Sequence, residues 1–248
     1  MGFGSIKQAI FELSHSLAFF AEYFRYRRLC RRGNLSVPKP ADLSYYPYDK
    51  TAKTSFDRHY LYHCAWAARV VRKLNPSEHV DISSSLMWGA IISAYVPFRF
   101  YDYRPAEIVL DNYQQDSVDL LSLPFPTSSI KSLSCMHVVE HIGLGRYGEP
   151  LDPLGHLKAM AELSRVVATG GHLLFVVPVG RPRVCFHGHR VFSYDTIIEN
   201  FRELKIAQFA LIRDSSMGRD GLITNATSRD VADCEYACGC FLFTKPVT

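Results

Sequence analysis

Residues 123–180 read LPFPTSSIKSLSCMHVVEHIGLGRYGEPLDPLGHLKAMAELSRVVATGGHLLFVVPVG. Ile130 to Met136 predicts a strand. From Asp152 to Ala168, Leu154, Leu157, Met160, Ala161, Leu163, Ser164 and Val167 form a helical stripe, and Gly170-Gly171 is the expected stop. Leu173 to Val177 is a continuous apolar run, as in a strand buried on both faces. Strand, helix, strand in that order is half of a doubly wound α/β sheet. Its polar residues, HVVEH above all, fall where a strand ends. Such sheets bind ligands at the carboxyl ends of their strands.

The same reading extends outward. Ile6, Ile10, Leu13, Leu17, Phe20 and Phe24 share one face of a helix expected over residues 5–29. That helix ends in Arg25, Arg27, Arg28, Arg31 and Arg32, cations that suit a helix C-terminus. It fits packing on the domain, a homodimer contact or a peripheral membrane contact. Residues 33–53, with Gly33, Pro38, Pro40, Pro47 and three tyrosines, read as a linker. A second helix is expected over 56–74, with Trp66, Val70 and Leu74 buried. His79–Ile82 is a strand, Ser84–Tyr95 a helix and Pro97–Tyr101 a strand ending at Asp102. Irregular chain is expected to about Ser122. Beyond Gly180, a helix over 194–202 precedes strands over 204–212 and 237–244. Alternating β and α elements favour a parallel sheet.

Composition bounds the class. A chain of 248 residues, 48% hydrophobic and 21% charged, can build one domain with an N-terminal appendage. A net charge of +4 is too mild to argue for nucleic acid. The basic run, with Tyr26 as its one interleaved aromatic, matches no known nucleic-acid module, so no nucleic-acid partner is expected. Seven scattered cysteines suggest reduced thiols and a cytoplasmic location. Cys234, Cys238 and Cys240 read as core thiols of a last strand rather than metal ligands. The apolar run from Ala9 to Phe20 is too short for a membrane span.

Two motif matches are discounted. Gly143-Leu-Gly145-Arg-Tyr-Gly148 fits a dinucleotide fingerprint but lies mid-sheet, away from a first strand. It reads as a glycine-rich loop over a site. His137-Val-Val-Glu140-His141 fits an inverted zinc-protease motif, yet sits at a strand end rather than on a long helix. No metal ligand is assigned.

The chain from about residue 79 to 244 resembles the class I S-adenosylmethionine-dependent methyltransferases. LPFPTSSIKSLSCMHVVEHI and AELSRVVATGGHLLFVVPVG carry the likeness. FDRHYLYHCAWAARVV, EHIGLGRYGEPLDPLG, HGHRVFS and GCFLFTK add a narrower likeness, over about residues 55–245, to an uncharacterised methyltransferase-like family associated with glycan or small-molecule modification. The resemblance implies a doubly wound, mostly parallel, seven-stranded Rossmann-like sheet with an antiparallel last strand, plus N-terminal helices. It implies residues 1–54 as helix and linker, and 55–248 as the methyltransferase-like domain.

The implied cofactor is S-adenosylmethionine, and the implied reaction is O-methylation of a sugar-containing or other small acceptor. The alternative is an inactive methyltransferase-like binding or assembly module. Asp81, Ser83, Ser85, Asp102, Asp119, Leu120 and Met136 are the expected cofactor residues, Asp102 holding the ribose. His137, His141 and His189 are candidate bases, because histidine titrates near working pH. Arg146, Tyr147, His187 and Arg190 are expected to meet the acceptor, and His59 and Tyr60 to cap the cofactor site or simply to pack. One departure stands out. The family's acidic-x-Gly-x-Gly loop here reads Asp81-Ile-Ser83-Ser84-Ser85. A left-handed serine costs roughly 1–2 kcal/mol, though its hydroxyl could donate to the cofactor.

Overall fold

Along the central strands, successive side chains enter opposite cores, as pleating requires. On β4 (Ile130–Met136), Leu133 and Cys135 face one core and Met136 the other. On β5 (Val167–Val179), Leu173, Phe175 and Val177 alternate in the same way with Leu174 and Val176. The computed structural model describes residues 3–214 and 221–247. It divides into two compact units, Met1–Phe56 and Asp57–Thr248.

The second unit is built on an eight-stranded sheet. The order is β3 (Tyr113–Ser117), β2 (Phe98–Asp102), β1 (His79–Ile82), β4, β5, β10 (Ala237–Thr244), β8 (Lys205–Ile212) and β9 (Leu222–Thr224). β3, β2, β1, β4 and β5 are parallel, while β10 runs antiparallel to β5 and β8. The expected doubly wound, mostly parallel sheet with an antiparallel last strand is therefore present. The short edge strand β9 adds an eighth member to the expected seven.

Helices cover both faces. α2 (Arg58–Leu74) buries His63, Trp66, Ala67, Val70 and Val71, spaced for one helical stripe. With α3 (Leu86–Ile92) it closes the core containing Met136, Val176 and Cys240. α4 (Gly155–Val166) and α5 (Tyr194–Asn200) close the core containing Leu133, Phe175 and Phe241. Strand order reverses between β1 and β4, which defines the switch-point crevice of a doubly wound sheet.

Three expectations are corrected. Gly170-Gly171 does not stop α4, which ends at Val166; both glycines lie inside β5. There the Gly170 N–H donates to the Lys245 carbonyl, beside an irregularity in the β4–β5 register. The chain before Ser122 is not wholly irregular, because Tyr113–Ser117 pairs in parallel with β2. Its sequence is polar since only Tyr113 is buried on this edge strand. A hairpin, β6 (Arg183–Cys185) with β7 (His189–Val191), occupies the segment between β5 and α5, where the sequence predicts no strand. A last short helix, α6 (Ser228–Ala232), starts with a capping box between Thr227 and Asp230.

In the first unit, α1 (Phe3–Arg32) extends beyond the expected 5–29. The side chains of Ile6 and Ile10 lie outside the described residues. Leu13, Leu17, Phe20 and Phe24 are exposed. Tyr23 ties helix to linker: its hydroxyl donates to the Pro38 carbonyl at 3.3 Å and accepts from Arg27 Nη1 at 3.0 Å. Among the described residues no helix is long and apolar enough to cross a membrane.

Candidate active site at the switch point

Beneath the crevice lies a buried polar chain. The Asp81 carboxylate accepts from the Ser84 N–H at 2.9 Å, from Trp88 Nε1–H at 3.2 Å and from the Ser134 hydroxyl. Ser134 uses its proton on Asp81, so it accepts from His79 Nε2–H at 2.8 Å. That fixes the tautomer, and His79 Nδ1 accepts from Ser132 at 2.7 Å. Burial holds the His79 pKa down to about 3, so the ring is neutral. Asp81, fully buried, is therefore not a cofactor contact as the sequence suggested. It fastens the loop after β1 to β4.

That loop takes the glycine-like path despite its serines. Ser83 has φ +57, in the left-handed region. Its N–H donates to the Tyr101 carbonyl at 2.7 Å and its hydroxyl to the same oxygen at 3.3 Å. Ser84 is buried and accepts from the Met136 N–H at 3.0 Å. Ser85 precedes α3 with no capping bond from its side chain. Ser83→Gly should relieve roughly 1–2 kcal/mol of strain, partly offset by about 0.4–1 kcal/mol of unfolded-chain entropy. Urea unfolding should show a modest stabilisation; a loss would mean that the Ser83 hydroxyl holds the loop.

Asp102 ends β2 half-exposed, one oxygen accepting from the Arg104 N–H at 2.7 Å. Asp119 is exposed and accepts from the Leu121 N–H at 2.8 Å. Leu120 and Met136 are corrected: their side chains are buried in opposite cores, which leaves them only backbone atoms to offer a ligand.

His137 leaves β4 with φ +57 and is buried. Its Nδ1 lies 2.8 Å from Glu140 Oε1 and its Nε2 3.4 Å from Cys238 Sγ. The first two turns of α2 cover it, with ring centroids at 5.8 Å (His59), 5.2 Å (Tyr60) and 5.0 Å (His63). Burial lowers His59 and His137 to about 4, leaving both imidazoles neutral at pH 7. Both nitrogens of His137 are engaged, so it is poorly placed to take a proton from an acceptor. His141 Nδ1–H donates to the Gly188 carbonyl at 2.6 Å. His137 and His141 therefore do not converge on one ion as the inverted zinc motif would require. His189, half-buried on β7, has its ring 5.3 Å from Tyr236, which stacks on His59 at 5.1 Å. It makes no hydrogen bond from its ring to another described residue.

Glu140 is the residue that sequence reading missed as an acid. It is fully buried, and burial pushes its carboxyl up to about 7, against the pull of His141. Oε2 has no hydrogen-bond partner among the described residues. His59 reads in sequence only as a capping or packing residue, and Cys238 as a core thiol rather than a ligand. One ligand atom from each of His59, His137 and Cys238 lies within 4.8 Å of the others.

The glycine-rich loop is a built structure rather than a dinucleotide cradle. Glu149 accepts from the Gly145 and Tyr147 N–H groups, both at 2.9 Å. A Cβ at Gly143, φ +75, would collide with the Asp152 carbonyl. Tyr147 is exposed between Arg146 at 5.1 Å and Arg104 at 5.0 Å, which brings the loop beside the end of β2. Arg146 also donates to the Gly188 carbonyl at 3.2 Å, and His187 is exposed on the hairpin turn.

Arg190 is corrected. Neighbouring residues of a strand face opposite ways, and Arg190 turns away from His189 into a cleft of about 610 Å³ lined also by Leu144, His156, Phe186 and Phe192. It is buried and donates to the Ile142 carbonyl at 2.6 Å. It clamps the loop after β4 instead of facing the histidine cluster.

The switch point, strand order and antiparallel last strand define the fold of the class I S-adenosylmethionine-dependent methyltransferases. Among solved structures, a chain of the Haloferax volcanii complex between a methyltransferase activator and its candidate methyltransferase is 16% identical, with TM-score 0.51, over 77% of this chain and 91% of that one. The N-methyltransferase NodS from Bradyrhizobium japonicum, in complex with S-adenosylhomocysteine, is 13% identical with TM-score 0.51, over 75% and 86%. Residues 127–202 match a family described as Caenorhabditis protein of unknown function, DUF268. No curated protein matches the sequence.

Proposed function

We propose that the chain is an S-adenosylmethionine-dependent methyltransferase acting on a hydroxyl of a sugar-containing or other small acceptor. The observation that carries the reading is the conformation of the loop after β1. Ser83 takes the left-handed backbone that the methyltransferase loop assigns to glycine, opposite the half-exposed Asp102. Asp102 would hold the ribose hydroxyls, Asp119 the adenine edge, and the Ser83 and Ser85 hydroxyls the amino-acid end. Bound S-adenosylmethionine supplies a methyl group on a sulfonium, open to in-line displacement.

The chain's own part is positioning and proton removal. Of the three histidines, His189 is the one whose ring nitrogens have no hydrogen bond to a described residue, and it would take the acceptor's hydroxyl proton on a ring nitrogen. Tyr147 and Arg146 would cover the acceptor from the glycine-rich loop. Calorimetric titration with S-adenosylmethionine and S-adenosylhomocysteine tests the reading. Saturable binding of both is expected. An absence of heat at millimolar ligand would instead leave a methyltransferase-like module without a cofactor.

A further inference from the structure

His59 lies in the first turn of α2, His137 directly follows β4, and Cys238 is the second residue of β10. Three elements distant in sequence thus bring two imidazoles and a thiol to one point at the sheet edge, their ligand atoms within 4.8 Å of one another. A zinc ion has bonds of about 2.3 Å to sulfur and about 2.0–2.1 Å to imidazole nitrogen. Tetrahedral angles then separate the two ligand atoms by roughly 3.5 Å. His137 Nε2 and Cys238 Sγ stand 3.4 Å apart. The pair already has the spacing of two ligands on one ion.

The surroundings of His137 point the same way. Its Nδ1 lies 2.8 Å from Glu140 Oε1. Donation there fixes the tautomer and leaves the Nε2 lone pair aimed at the sulfur. Carboxylate, histidine, metal is the usual order in which an outer group orients a ligating imidazole. His59 and Tyr60 close over the ring from α2.

We propose that His59, His137 and Cys238 form a zinc-class divalent metal site, with Glu140 positioning His137. Two nitrogens and a sulfur select a borderline-soft ion over magnesium or calcium. On binding, the Cys238 S–H bond breaks, its proton goes to solvent and a metal–sulfur bond forms. Three protein ligands leave a fourth position for water or a small ligand, the pattern of an open rather than a closed zinc site. The site stands whether or not the cofactor binds, so metal binding and S-adenosylhomocysteine binding can fail separately.

The full chain, stripped with chelator, should be titrated with Zn²⁺ and with Co²⁺. One equivalent of either is expected, and the Co²⁺ form should show thiolate charge transfer in the near ultraviolet and intense tetrahedral bands in the visible. Cys238→Ser should remove the charge-transfer band. Glu140→Gln should weaken Zn²⁺ binding by about 10–100-fold. His59→Gln alters only a partly buried residue in a first helical turn, and it carries the test if the buried variants do not fold. It should weaken Zn²⁺ at least tenfold. A wild-type chain that takes up no Zn²⁺ at micromolar metal overturns the proposal. So does a His59→Gln chain with unchanged stoichiometry, affinity and Co²⁺ spectrum.

Discussion

Asp102→Ala is expected to weaken S-adenosylhomocysteine binding by about 10²- to 10⁴-fold. The carboxylate stands at the end of β2, beside the switch point, where doubly wound sheets hold a ribose through an acidic residue. Hydrogen bonds to a charged group contribute about 1.5–3 kcal/mol each. Two ribose hydroxyls on one carboxylate then make roughly 3–6 kcal/mol, and each 1.4 kcal/mol is a factor of about ten. One Asp102 oxygen also accepts from the Arg104 N–H. The alanine variant therefore loses a turn contact as well, and its fold should be checked by circular dichroism. Asp102→Asn keeps an acceptor for that N–H but loses the charge, so it should fall between wild type and alanine. Calorimetric titration of the three chains reads the series. If Asp102→Ala binds within about threefold of wild type, the ribose assignment is wrong.

The β4–β5 half of the sheet was legible because burial on both faces writes an unbroken apolar run into the sequence. β3 was not, because an edge strand with one buried residue reads YQQDS, like a loop. Gly170-Gly171 misled for a different reason. A glycine pair after an amphipathic stretch is the usual helix stop, but here the helix yields at Val166-Val167, and Gly170 supplies the left-handed residue of a strand irregularity. The stripe of α1 was visible as a pattern, yet its described members Leu13, Leu17, Phe20 and Phe24 are exposed. Periodicity reports a face, not what covers it.

Site residues divide along the same line. The place of Asp102 at the end of β2 was legible, whereas sequence position alone does not say that the side chains of Leu120 and Met136 turn into the core. Arg190 failed on that same alternation, one residue from His189. The meeting of His59, His137 and Cys238 was out of reach, because only the sheet order β4-β5-β10 and the lie of α2 bring them together.

Asp81→Ala should cost about 3 kcal/mol of folding stability and lower Tm by about 10 °C, given about 2–4 °C per kcal/mol for a domain of this size. The variant leaves the Ser84 N–H, Trp88 Nε1–H and Ser134 hydroxyl without their buried acceptor. Each such orphan costs about 1–3 kcal/mol, while loss of a desolvated carboxylate offsets part of the sum. Asp81→Asn isolates the charge. Burial pushes the Asp81 carboxyl up to about 6 from 3.8, against the hydrogen bonds from Ser134 and Ser84. A carboxyl whose folded pKa is raised binds its proton more readily in the folded state, so its contribution is present at low pH and lost as pH rises through about 6. Acidification from pH 7 to pH 5 should therefore favour wild type over Asp81→Asn by about 1.3 kcal/mol. That sign is opposite to the behaviour of a salt-bridged carboxylate. Urea unfolding of both chains at the two pH values measures it. A difference that does not change with pH would mean that the Asp81 carboxyl is not held in its protonatable, desolvated setting. The loop carrying Ser83 would then need another anchor than the chain from Ser132 through His79 and Ser134.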